Sequence, residues 1–147
     1  MRASNVVYDR AHSSISTATA DEFNFDEIFA DADWFHFTGI TPAVSDAAIE
    51  LTEAALKAAK AHGVTVSVDL NFRKKLWSSE KAQKVMTNLM QYVDVCIGNE
   101  EDAEKVLGFK PGNTDVTSGE LELAGYVDIF NQMADKFGFK YIISSLR

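Results

Sequence analysis

Short β-branched or aromatic runs alternate along this chain with longer segments whose apolar residues recur every three or four positions. Residues 34–38, 64–68, 92–97 and 140–144 are of the first kind and predict strands. Residues 45–62 are the clearest of the second: Ile49, Thr52, Leu56 and Ala59 share a face with several alanines, Glu50 and Glu53 point elsewhere, and Gly63 is a natural terminator. Ser78, Ser79 and Glu80 cap another helix that runs to about residue 91, with Ala82, Val85, Met86 and Leu89 as its stripe. Helices are also predicted over 99–107, closed by Gly108, and over 120–137, closed by Gly138, with a loop at 110–117 that holds Pro111 and Gly112. From Trp34 onward strand and helix alternate with short connections. That alternation implies βαβ units, hence an α/β fold with a mainly parallel sheet flanked by helices.

The first part of the chain departs from the pattern. Residues 5–8 read as a strand that ends in the polar cluster 9–14, and 13–20 read as a loop or irregular edge piece. Asn24 and Glu27 have capping-box spacing ahead of Ile28 and Phe29, so a short helix starts there. Gly39, Ile40, Thr41 and Pro42 form a turn signal after the aromatic run. The division expected is a lid or edge segment at 1–20 and a βαβ core at 21–147. Residues 141–144 have the composition of an interior strand with no covering helix after Arg147, and the chain starts almost directly in a strand, so the expectation is the central part of one longer domain.

Composition narrows the function. With 46% hydrophobic residues, 147 positions suffice for one core, and 24% charged residues argue against wholesale disorder. A formal charge of −8 speaks against a nucleic-acid or anionic-membrane surface. No apolar run approaches a bilayer span and no signal-peptide core opens the chain. A single cysteine, Cys96, excludes an intrachain disulfide and a cysteine-rich zinc site, so a reducing cytoplasm is the expected location.

The chemistry concentrates after the strand at 64–68, which ends in Asp69, Asn71, Arg73, Lys74 and Lys75. In open α/β sheets ligands bind beyond the carboxyl ends of strands. Side chains alternate along an extended segment, so Asp69, Asn71 and Arg73 are expected on one side, offering a carboxylate, an amide and a planar fork for carboxylate or phosphate. A solvated turn with a local ion pair is the alternative. Tyr8 and Arg10 have the same alternating spacing, or form an ordinary exposed edge. Asn99 with Asp102 reads as a helix cap, at a place that also suits a Mg²⁺–phosphate network. His36 reads as a satisfied structural histidine and Cys96 as inert core. The chain holds no P-loop, no G-x-G-x-x-G, no H-E-x-x-H and no G-x-S-x-G.

Four segments taken together resemble the ribokinase-like (PfkB-type) carbohydrate kinases: Val7-Tyr8-Asp9-Arg10-Ala11-His12-Ser13, Trp34 to Pro42, Asp69-Leu70-Asn71-Phe72-Arg73 with Leu76-Trp77, and Asn99-Glu100-Glu101-Asp102-Ala103-Glu104. The Tyr-x-Arg segment is similar to the branch that phosphorylates 2-keto-3-deoxygluconate, while D-x-N-x-R is shared with fructokinase-like relatives. The resemblance implies a sugar-acid kinase that uses ATP and Mg²⁺. Tyr8, Asp9 through its backbone, Arg10, Gly39, Ile40 and Arg73 would bind the sugar acid. Asn71, Phe72, Arg73, Asn99 and Asp102 would border the ATP phosphates, with no direct metal ligand. The family pattern is N-x-x-E, so Asp102 stands where a glutamate is expected, and Glu101 or Glu104 could take its part. The family's glycine-rich G-A-G-D-type segment with the catalytic aspartate has no match here, so the chain alone is expected to be inactive. By analogy, copies would pair through the lid segment. The rival readings are a fructokinase-type kinase for a neutral sugar and a non-catalytic α/β binding module.

Overall fold

The computed structural model describes residues 6–110 and 119–145. After the helical turn α1 (Ser14–Thr17) and a 3-10 turn at Ala20–Glu22, α2 (Phe25–Phe29) leads into β1 (Trp34–Thr38). Then come α3 (Ile40–Ala43), α4 (Asp46–Ala61), β2 (Thr65–Asp69), α5 (Ser79–Leu89), β3 (Val95–Ile97), α6 (Glu100–Leu107), α7 (Gly119–Phe137) and β4 (Tyr141–Ile143). The four strands are all parallel and lie in the order in which they occur. With right-handed crossovers, an order that only advances puts every connecting helix on the same face of the sheet.

Burial follows that geometry. Phe37, Val66, Val68 and Cys96 point into a core completed by Leu56, Ala59, Met86, Leu89, Val106, Ile129 and Met133 from the helices. In the register Trp34↔Thr65, His36↔Ser67 and Val95↔Tyr141 the alternate residues face the other way. There Trp34 is 58% exposed, Tyr141 69% and Ile143 52%. On this face Ser67 Oγ accepts the Trp34 Nε1–H at 2.8 Å and bonds His36 Nδ1 at 2.7 Å, the satisfied histidine expected from the sequence.

The caps at Asn24 and Ser78 behave as the sequence implies, accepting backbone N–H bonds from Glu27 and Lys81. Ser45, read as the first helical residue, is instead the cap of α4 and accepts the Ala48 N–H, and Gly63, Gly108 and Gly138 take the left-handed conformation after their helices. Opposite the site, the sheet is tied by Asp94. Its Oδ2 accepts the Val66 N–H at 2.9 Å and faces Lys60 Nζ at 3.0 Å, and Lys140 approaches Oδ1 at 3.4 Å. Burial pushes the Asp94 carboxyl up, but the Val66 N–H and the two lysines more than offset it and hold it below the usual range. Cys96 is buried, and loss of water pushes its thiol up to about 12, so it is inert.

Several expectations need correction. Val6, Val7 and Tyr8 form no strand: no ladder partner lies beside them among the described residues, and they are 65%, 83% and 70% exposed. Asn5 lies outside the described residues, as does the predicted loop except Lys110. The segment read as a loop at 13–20 holds α1, and the turn at 39–42 becomes α3. The strand placed at 92–97 starts at Val95, because α5 continues into a 3-10 turn at Met90–Tyr92. The strand predicted at 140–144 forms as β4 at Tyr141–Ile143, beside β3 and last in the order of the described strands, with both outward residues exposed. No helix among the described residues is long and apolar enough to cross a membrane.

Candidate functional site

The carboxyl ends of β1, β2, β3 and β4 meet along one edge of the molecule. Gly39 continues β1 and donates its N–H to the Asp69 carbonyl at 2.8 Å. The two chains are packed so closely that a Cβ on Gly39 would lie 2.1 Å from the Leu70 carbonyl oxygen. Only glycine fits there. Leu70 in turn donates its N–H to the Ile97 carbonyl at 2.9 Å, so the end of β2 is held from both sides.

Directly after this clamp the chain turns. Asn71 has a φ of 43°, a left-handed conformation that asparagine tolerates better than most side chains. The turn ends the alternation assumed for Asp69, Asn71 and Arg73, yet it brings all three, and Phe72 as well, to the same hollow. That grouping thus comes from the kink, and strand periodicity is not its cause. The Phe72 N–H is taken by Asp102 Oδ1 at 2.9 Å, and Asp102 Oδ2 accepts the Asn99 N–H at 3.2 Å. Asn99 Oδ1 accepts the Asp102 N–H at 2.9 Å, which completes a capping box at the start of α6. The helix-cap reading of Asn99 is therefore realised.

Two hollows adjoin this turn. The first, about 470 Å³, is lined by Asp69, Asn71, Phe72, Arg73, Ile97, Gly98, Asn99, Glu101, Asp102, Ile143, Ser144 and Ser145. The second, about 620 Å³, is lined by Val6, Val7, Tyr8, Arg10, Phe72, Arg73, Lys74, Lys75, Leu76 and Glu101. Phe72, Arg73 and Glu101 belong to both and form the wall between them. Their charges differ in sign. The second hollow has four cations (Arg10, Arg73, Lys74, Lys75) against one carboxylate, Glu101, in a chain whose net charge is −8. The first has three carboxylates (Asp69, Glu101, Asp102) against Arg73. Burial pushes the Asp69 carboxyl up and the Asp102 charge adds to this, against the pull of His36, Arg73 and the Asn71 N–H, so it titrates above the ordinary aspartate range.

Of the residues predicted from the sequence, Tyr8, Arg10 and Arg73 share the cationic hollow, while Asn71, Phe72, Arg73, Asn99 and Asp102 share the acidic one. Arg10 folds over the Tyr8 ring, with its guanidinium carbon 4.4 Å from the ring centroid, and Arg73 Nη1 donates to the Phe72 carbonyl at 2.9 Å. Asp9, Gly39 and Ile40 line neither hollow; Gly39 serves instead as the close-approach point under β2. Sequence reasoning missed Gly98, Ser144 and Ser145. The strand-end rule applied to β3 and β4 reaches all three. Ser144 Oγ is buried without a hydrogen-bond partner among the described residues. Among the described residues no group of three or more His, Cys, Asp or Glu side chains is placed to hold a metal ion.

Comparison with known proteins fits this arrangement. The profile of the pfkB family carbohydrate kinases matches residues 2–128. The chain belongs to the PfkB family of carbohydrate kinases. It is 40% identical over 127 residues to the 2-dehydro-3-deoxygalactonokinase of Haloferax volcanii, covering 86% of this chain and 39% of that protein. It superimposes on the crystal structure of the 2-dehydro-3-deoxygluconokinase of Thermotoga maritima with a TM-score of 0.86 and 47% identity, over 97% of this chain and 41% of that one. A PfkB family carbohydrate kinase from Listeria grayi gives a TM-score of 0.79 at 28% identity, over 97% and 41% of the two chains. This PfkB chain thus spans about two fifths of the length of the first two relatives.

Proposed function

We propose that this chain is the central part of an ATP-dependent kinase that phosphorylates 2-keto-3-deoxygluconate (2-dehydro-3-deoxygluconate) on its terminal hydroxyl, giving the 6-phosphate for cytoplasmic sugar-acid catabolism of the Entner–Doudoroff type. The observation that carries the reading is the cationic hollow, where Arg10 and Arg73 stand together in an otherwise acidic chain. The likeness to two kinases of deoxy sugar acids supports it.

In this reading Arg73 pairs with the substrate carboxylate, for which its planar fork is suited, and Arg10 completes the anion site while stacked on Tyr8. Lys74 and Lys75 add long-range attraction. Asn71, Phe72, Arg73 and Asn99 border the ATP phosphates along the acidic hollow. Carboxylates around that hollow would repel a bare triphosphate, so the fit is to a magnesium-bound one, held through water and with no direct ligand from these residues. Mg²⁺ supplies charge neutralisation at the transferring phosphoryl group. The chain's own contribution is placement: it fixes the acid end of the substrate so that the other end lies in line for transfer. The general base lies outside this chain, and the chain alone has no kinase activity.

The test is turnover by the full-length polypeptide that carries this segment, with MgATP and 2-keto-3-deoxygluconate, the corresponding galactonate, or fructose. Phosphorylation of a keto-deoxy acid with negligible use of fructose is expected. Preference for fructose would leave Arg10 and Arg73 without a carboxylate partner and would overturn the reading.

A further inference from the structure

We infer that Asp102 is a positioning residue that sets the Arg73 guanidinium, and does not itself serve the phosphate–metal network; this deepens the kinase reading above and rests on it. Both carboxylate oxygens are engaged with backbone. Oδ1 accepts the Phe72 N–H at 2.9 Å and Oδ2 the Asn99 N–H at 3.2 Å. The two donors sit 27 positions apart in sequence, on the exit of β2 and at the start of α6. One side chain therefore bridges two of the three strand ends that line the acidic hollow.

The residue on the Asp102 hook follows the strained position. Asn71 holds φ at 43°, a conformation that persists only where surrounding contacts enforce it. Upstream the enforcing contacts are the Leu70 N–H to the Ile97 carbonyl and the Gly39 N–H to the Asp69 carbonyl. Downstream, at Phe72, the hook is Asp102. Arg73 is the next residue and leans on the Phe72 carbonyl through Nη1, at 2.9 Å. Losing the hook frees the turn and with it the wall between the hollows. The length of the side chain matters. Aspartate at this position reaches back to Asn99 and across to Phe72; a glutamate can still close the capping box to Asn99 but carries its carboxylate one methylene away from the Phe72 N–H. Thus the shorter residue in the N-x-x-D sequence of this chain goes with the backbone bridge.

The experiment compares Asp102→Ala, Asp102→Asn and Asp102→Glu in the full-length polypeptide, reading amide hydrogen exchange at Phe72 together with KM for the sugar acid and for ATP. Asp102→Ala should speed Phe72 exchange by about tenfold or more, the scale of one charge-assisted hydrogen bond. It should also raise the sugar-acid KM several-fold more than the ATP KM. Asp102→Asn keeps one acceptor and should recover most of the Phe72 protection; it also serves if the alanine variant fails to fold. Asp102→Glu keeps the helix cap and should resemble the alanine variant in Phe72 exchange and sugar-acid KM. Unchanged Phe72 exchange in Asp102→Ala overturns the proposal. So does faster exchange with both KM values unmoved, or an Asp102→Glu enzyme with parental protection and higher kcat. If the parent turns over no sugar acid, the kinase reading fails, while Phe72 exchange still decides the bridge.

Discussion

Gly39→Ala probes the clamp that carries the site. The backbone φ at Gly39 is −60°, which alanine adopts freely, so conformational strain plays no part. The entire effect comes from the new methyl, placed 2.1 Å from the Leu70 carbonyl oxygen and 3.1 Å from its carbon. Both obstacles are main chain and cannot rotate away. Reaching ordinary contact requires β1 and β2 to part at their ends by about 1 Å or more. Overpacking of this kind costs about 1–3 kcal/mol, and stretching the Gly39 N–H···Asp69 carbonyl bond adds about 1 kcal/mol. The melting temperature of the full-length polypeptide should fall by about 5 °C or more. Gly63→Ala is the counterpart: nothing lies within 4 Å of its added Cβ, but φ is +71°, so its penalty is conformational alone. Because Leu70 leads into Asn71, Gly39→Ala should also weaken sugar-acid binding, whereas Gly63→Ala should not. Calorimetry and substrate titration on the two variants test this. A Gly39→Ala protein that melts within 1 °C or so of the parent would refute the reasoning.

Two aspartates should respond to pH in opposite senses. Asp94 titrates below the usual range when folded, so its contribution is present above the unfolded carboxylate pKa of about 3.9 and is lost as pH falls through the folded value. Asp94→Ala should cost about 2–4 kcal/mol at pH 7, chiefly from the orphaned Val66 N–H, and the gap to the parent should shrink below about pH 4, as read by urea melts. Asp69 titrates above the usual range, so the folded state favours its protonated form; the associated stability is present below the unfolded pKa and lost as pH rises through the folded one. Asp69→Asn should accordingly raise the melting temperature at pH 7 and change it little at pH 3; a lower melting temperature at pH 7 would contradict the burial argument.

The elements that follow directly from local chemistry were legible in the sequence. Helix α4 shows its stripe and its Gly63 terminator openly, and it forms from Asp46 to Ala61, with Ser45 as its cap. The strand leading to Asp69 and the cap at Asn99 are of the same kind. What sequence could not give was the left-handed turn at Asn71. It is imposed by backbone contacts with Gly39 and Ile97 from strands remote in the chain, and no periodicity encodes it. The opening segment failed for a related reason. Val6 to Tyr8 have strand composition, but a strand exists only beside a partner, and composition does not name one. The union of Arg10 with Arg73 in one hollow was expected from resemblance alone; the spacing of 63 positions carries no such information.

The central claim is that Arg10 and Arg73 act on one carboxylate. The direct measurement is a double-mutant cycle on the full-length polypeptide, reading sugar-acid affinity in the parent, Arg10→Ala, Arg73→Ala and the double variant. Groups that share a ligand group are non-additive, so a coupling of about 0.5–3 kcal/mol is predicted, with ATP affinity nearly constant in Arg10→Ala. Strictly additive losses, or losses that fall on ATP and sugar acid alike in both single variants, would contradict it.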